Sequence, residues 1–205
     1  MSQLSSSEAL LWPPLSGTPT ADALPDHTRT LIARCLEGEE SAYAALYRLY
    51  AGEIYRLCYS LLQHREDAEE VLQDAFEYAF RRLETYQPQK SAFKTWLYRI
   101  AISRCRNKRR RKWLPTFSLQ QLVGDDVSDD TAPDPVERAA LSEQQREVWQ
   151  ALKQLSPKLR ETAVLRYYEG LAYAEIGEIL DISAKTVESR MRLAHKALRD
   201  ILAHE

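Results

Sequence analysis

Apolar residues recur at three- and four-residue steps along most of this chain. Between His64 and Glu84, Ala68, Val71, Leu72, Ala75, Phe76, Ala79, Phe80 and Leu83 form one wide stripe, the period of a helix with a buried face. Glu69, Glu70, Gln73, Asp74 and Glu77 fill the opposite face, and the acidic first turn at Glu66 and Asp67 suits the positive end of a helix dipole. Upstream, helical periods begin at Asp26. They run through Leu31, Ile32, Cys35 and Leu36, then Ala42, Tyr43, Ala45, Leu46, Leu49 and Tyr50, then Ile54, Leu57, Cys58 and Leu61. Gly38, Ser41 and Gly52 punctuate these as stops and starts. Downstream, Tyr86-Gln87-Pro88-Gln89 breaks the pattern, and Ser91 reads as the N-cap of a helix with Phe93, Trp96, Leu97, Ile100 and Ala101 on one face.

The period lapses in two places. Residues 1–26 are rich in Ser, Pro, Thr and Ala without Lys or Arg, which reads as a mobile tail, with Leu10-Leu11-Trp12 as its one apolar cluster and a candidate docking motif. Residues 113–135 carry three prolines and two Asp-Asp pairs, which reads as an extended, self-repelling linker. Its acids also fit imitation of a nucleic-acid backbone inside a basic channel. The expected architecture is therefore all-α: a helical domain over 27–112 and a second over 136–205, joined by an acidic flexible linker.

The second domain opens with Val136, Ala140, Leu141, Val148, Leu152 and Leu155 in helical register. Ser156-Pro157 then supplies an N-cap and a proline at the first helical position of KLRETAVLRYYEG, which Gly170 closes. AYAEIGEIL, a tight turn at Asp181-Ile182, Ser183 as N-cap and the long helix AKTVESRMRLAHKALRDIL follow. Two helices joined by so short a turn, the second longer and basic at its start, form the helix-turn-helix pattern. Val187, Met191, Ala194, Leu198 and Leu202 make its buried stripe, leaving Lys185, Thr186, Ser189, Arg190 and Arg192 outward. Asp181 reads as a left-handed turn residue.

Charge sharpens this picture. The chain of 205 residues has a formal net charge of only −2, but no Asp or Glu occurs between Glu84 and Asp125 while Lys90, Lys94, Arg99, Arg104, Arg106 and Lys108–Lys112 accumulate. Binding to polyanions follows such local runs rather than the sum. Tyr86, Phe93, Trp96 and Tyr98 are interleaved with the first of these cations, the mixture that stacks unpaired bases while neutralising phosphates. Trp96 also falls in the apolar stripe, so its reading is a core residue with a ring edge open to DNA.

Other chemistries find little support. Cys35, Cys58 and Cys105 sit apart among apolar residues and read as small core hydrophobes, without metal-ligand spacing. His27, His64, His195 and His204 are scattered, and none of the 6 glycines forms a phosphate loop, so neither an enzyme, nor a cofactor, nor a metal site is expected. With no leader pattern and no apolar span, a cytoplasmic protein without membrane insertion is expected. A stand-alone helix-turn-helix regulator remains the competing reading.

HREDAEEVLQDAFEYAF, FKTWLYRIA with its basic tail, and LSPKLRETAVLRYYEGLAYAEIGEILDISAKTVESRMRLAHKALR together resemble the region 2 and region 4 signatures of extracytoplasmic-function sigma factors of bacterial RNA polymerase. The resemblance covers nearly everything from Asp26 to Leu202. It implies that the helix matching Asp67 to Arg82 docks on the β′ clamp through Asp67, Glu70, Gln73, Asp74 and Glu77. It implies −10 promoter DNA at Tyr86, Lys90, Lys94, Trp96, Arg99, Arg104 and Arg106, and −35 DNA at Lys185, Thr186, Glu188, Ser189, Arg190 and Arg192. Core RNA polymerase, including the β flap, and an anti-sigma factor are the partners it implies. The chain departs from the family pattern at Ile102-Ser103, where Arg-Asn is usual, at Glu188, where a cation is usual, and at Leu193-Ala194-His195.

Overall fold

A computed structural model describes the backbone of residues 24–113 and 143–202, and side chains from 26 to 111 and from 147 to 202. The tail up to residue 23, residues 114–142 of the expected linker and second domain, and His204 lie outside the described residues. The chain divides into two compact units, and every regular element described is helical.

The first unit holds α1 (Leu24–Leu36), α2 (Glu40–Leu62), α3 (Arg65–Arg81), a 3₁₀ turn (Leu83–Thr85) and α4 (Phe93–Trp113). α1 begins inside the segment read as tail. Helices α2, α3 and α4 pack on one another, and α1 leans on α2. Leu46, Ile54, Leu57, Leu61, Ala68, Ala75, Leu97 and Ala101 are fully buried between them. Each large aliphatic among them stabilises the fold by about 1.5–3 kcal/mol relative to exposure. All three cysteines are buried and none is in a disulfide, as expected of core hydrophobes. Burial pushes the Cys35 thiol above its ordinary pKa.

Local chemistry sets the corners. Gly38, at φ +87°, ends α1, its N–H donating to the Cys35 carbonyl. The Arg34 guanidinium then grips Glu39 just before α2 and holds its carboxyl at a pKa of about 2. Gln63, in the left-handed region, ends α2, and His64 Nδ1 accepts the Asp67 N–H to cap α3. Two expectations fail here. Gly52 stops nothing: it lies inside the 23-residue α2, because the buried stripe of Leu46, Tyr50, Ile54 and Leu57 runs straight through it. Ser91 is not an N-cap either, since α4 starts at Phe93, and the Ser91 carbonyl accepts from Tyr86 Oη at 3.0 Å.

The second unit holds α5 (Glu143–Gln154), α6 (Pro157–Ala163) with a π-helical turn continuing it (Val164–Tyr168), α7 (Tyr173–Leu180) and α8 (Ala184–Leu202). α8 receives α5, α6 and α7. Ser156 precedes α6 as expected, with Pro157 in the first turn but no capping bond from its side chain. Arg160 satisfies the end of α5 instead, Nε donating to the Leu152 carbonyl at 2.8 Å. Among the described residues no helix is long and apolar enough to cross a membrane.

Candidate nucleic-acid interfaces

The acidic face of α3 is less uniform than its sequence. Gln73, Asp74 and Glu77 are exposed, with Glu77 bonded to Arg81 one turn on. Asp67 is not part of an open surface: its side chain is 11% exposed, with Oδ1 3.4 Å from Lys108 Nζ of α4. Lys108 also donates to Glu70 Oε2, which stays half exposed, and the Glu70 bond raises the lysine pKa. The acidic helix and the basic helix are therefore joined by their own side chains.

Along α4 the aromatic-basic mixture sorts itself by depth. Phe93 is buried, as its place in the apolar stripe implied, and Tyr98 is buried although it lies off that stripe, because α4 is covered by both α2 and α3; neither is open to stack a base. Tyr86 and Trp96 are half-buried, with ring centroids 5.4 Å apart, and both rest on Phe93. Trp96 is thus partly packed in the core and partly exposed. Burial raises the Tyr86 phenol pKa, keeping it protonated. Lys90 and Arg99, near this pair in sequence, are exposed, and Lys94 Nζ lies 3.0 Å from Glu53 and 5.3 Å from the Tyr98 ring centroid. Arg104 lies over the Tyr78 ring at 4.6 Å, and Arg106, Arg110 and Arg111 are exposed. Of the two departures in this helix, Ile102 is 1% exposed in the core while Ser103 faces out.

In the second unit the turn between α7 and α8 is built as its sequence implied. Asp181 adopts φ +57° and closes α7 onto the Gly177 carbonyl, and Ser183 Oγ accepts the Thr186 N–H at 3.1 Å. A Cβ on Gly177 would meet the Ile182 carbonyl oxygen at 2.7 Å, so only glycine lets the turn come this close. Val187, Met191 and Ala194 fill the core from α8. Lys185, Thr186, Glu188 and Arg192 are exposed, and Ser189 and Arg190 are partly so. Glu188 forms no ion pair with Lys185 or Arg192. His195 turns the other way and hydrogen bonds Tyr167.

The sequence reading counted Lys108 only as part of the basic run, and foresaw neither its bonds to α3 nor the contact of Arg104 with Tyr78. Both depend on which residues of α3 and α4 meet, which local periodicity does not encode; the sign reversal between the two helices was the available signal.

Two family descriptions match: Sigma-70 region 2 over residues 46–114, which takes in most of α2 and all of α3 and α4, and Sigma-70 region 4 over residues 145–198, from α5 to α8. The ECF RNA polymerase sigma factor SigW of Bacillus subtilis (strain 168) is 32% identical over 177 residues, covering 82% of this chain and 92% of SigW. The chain belongs to the extracytoplasmic-function sigma factors. This sigma factor is also 31% identical over 178 residues to the ECF RNA polymerase sigma-E factor of Escherichia coli (strain K12), covering 83% of this chain and 91% of that protein. Its fold is shared with CnrH, solved in complex with the cytosolic domain of CnrY, at a TM-score of 0.63 and 24% identity over 88% of this chain and 99% of CnrH. It is shared equally with RpoE of Bartonella quintana, solved with the anti-sigma factor NepR, at a TM-score of 0.63 and 22% identity over 78% of this chain and 96% of that one.

Proposed function

We propose that this sigma factor acts in the cytoplasm, joins core RNA polymerase and selects and opens promoters whose −35 and −10 elements are read by its two units. The observation that carries this reading is the pairing of two surfaces in one unit, an exposed acidic face on α3 and a basic α4 with a half-open Tyr86–Trp96 pair. Gln73, Asp74 and Glu77, with Glu70 at the edge, would meet the β′ clamp. Seating that face brings α4 against DNA, where Lys90, Lys94, Arg99, Arg104 and Arg106 neutralise phosphates and Trp96 and Tyr86 receive an unstacked base. Lys185, Thr186, Glu188, Ser189, Arg190 and Arg192 of α8 would enter the major groove of the −35 duplex, with the second unit also engaging the β flap. Glu188, without an ion pair to Lys185 or Arg192, has its carboxylate available to accept from cytosine N4. Because RpoE of Bartonella quintana, which shares this fold, was solved with the anti-sigma factor NepR, an anti-sigma factor would control this chain too.

The test is assembly of the full chain with core polymerase and run-off transcription on genomic DNA. Core binding and discrete start sites are expected. Failure to bind core, with tight binding of a duplex site by the chain alone, would establish a stand-alone helix-turn-helix regulator instead. Glu188→Lys followed by selection of bound sequences checks the readout, since an unchanged preference removes Glu188 from it.

A further inference from the structure

α8 has two faces of different character. Val187, Met191 and Ala194 are buried, while Lys185, Thr186, Arg192 and Lys196 are exposed. Leu193 belongs with the exposed set: it stands four residues after Ser189 and seven after Thr186, spacings that align side chains along one side of a helix. It is 57% exposed, and no other large apolar side chain among the described residues of the second unit is left so open.

A lone exposed leucine on an ordinary helix signifies little. Here it sits among cations and hydroxyls, which suit phosphates and polar base edges, and it can serve neither. The major groove offers one apolar feature, the C5-methyl group of thymine, which the other three bases lack. We infer that Leu193 packs on a thymine methyl in the upstream promoter duplex and makes thymine the preferred base at that position. The inference rests on the reading of α8 as the −35 helix and adds to it the base and the group recognised. Covering one methyl group changes an equilibrium by about fourfold.

The test uses the full chain assembled with core polymerase. Bound sequences are selected from DNA randomised over the −35 element, and each selected thymine is replaced singly by deoxyuridine, which removes the methyl and keeps the pairing edge. At one position uracil should weaken binding about fourfold for the wild type and leave Leu193→Ala unaffected. Leu193→Ala should itself lose about the same factor on thymine DNA. An element without thymine, uracil tolerated everywhere, or equal losses in both proteins overturns the assignment. Arg192→Ala separates the −35 reading of α8 from the assignment of Leu193. If it binds like the wild type and the pool shows no upstream preference, the −35 reading falls and the Leu193 assignment with it. A retained preference without methyl coupling removes Leu193 alone.

Discussion

Lys108 of α4 closes on Asp67 of α3, Nζ to Oδ1 3.4 Å, with only 19% and 11% of the two side chains exposed. At that depth the pair outweighs a surface ion pair, and removing one partner leaves a charge poorly solvated. Asp67→Asn should therefore destabilise the first unit by about 1–2 kcal/mol in urea unfolding. A double-mutant cycle with Lys108→Met should show favourable coupling. Asp74→Asn, on the open face, should instead weaken core polymerase binding with the unfolding midpoint unchanged. Loss of core binding by Asp67→Asn without loss of stability would return Asp67 to the docking surface.

Gly177→Ala should damage the second unit. The added methyl would lie 2.7 Å from the Ile182 carbonyl oxygen, a backbone atom that moves only with the turn itself. A cost of about 1–3 kcal/mol is expected, typical of an overpacked contact. The measurements are thermal melting of the second unit and protection of the −35 element by holoenzyme, both of which should fall while core binding through the first unit persists.

Gly52→Ala should do the reverse. Its position in the middle of α2 is exposed, and a Cβ there meets only the Arg56 guanidinium at 3.5 Å, an ordinary contact. Glycine costs a helix interior about 0.5–1 kcal/mol against alanine, so the variant should be more stable by that amount. A lowered urea midpoint would show that the site does not tolerate a side chain, and an unchanged one that the helix gain is cancelled.

Glu39 sets a pH dependence. Hydrogen bonding by Arg34 lowers its carboxyl from 4.5 to about 2. A folded-state pKa below the unfolded one means that folding favours the ionised form; the contribution is complete above pH 4.5 and lost as the pH falls toward 2. Wild type and Glu39→Gln should therefore differ by a constant amount near neutral pH and converge through that window. A gap that widens in acid would overturn this assignment. Because the pair is exposed, added salt should shrink the gap.

The elements themselves were legible because each helix declares its core face through its own period, as α3 does from Ala68 to Ala79. The turn before α8 was legible for a different reason: Asp181 and Ser183 bond to neighbours three or four residues away, so their chemistry is written locally. What escaped depends on distance along the chain. Asp67 adjoins the α3 stripe, and its burial is decided by Lys108, whose other partner Glu70 lies 38 residues before it. Tyr98 lies off the stripe that begins at Phe93 and is buried only because α4 has neighbours on two sides. Gly52 was misread because a helix supported by long-range packing absorbs the modest penalty that glycine imposes.

On α8, the residues that hold the helix in place and those that face outward are separate sets. Val187, Met191 and Ala194 are inside; Lys185, Thr186, Glu188, Arg192 and Leu193 are outside. Substitutions at such exposed positions generally shift stability by no more than about 0.5 kcal/mol. Gene duplicates of this chain can therefore vary the outward set of α8 one residue at a time, every intermediate remaining folded, so that the DNA preference proposed for that face would diverge without the scaffold being rebuilt.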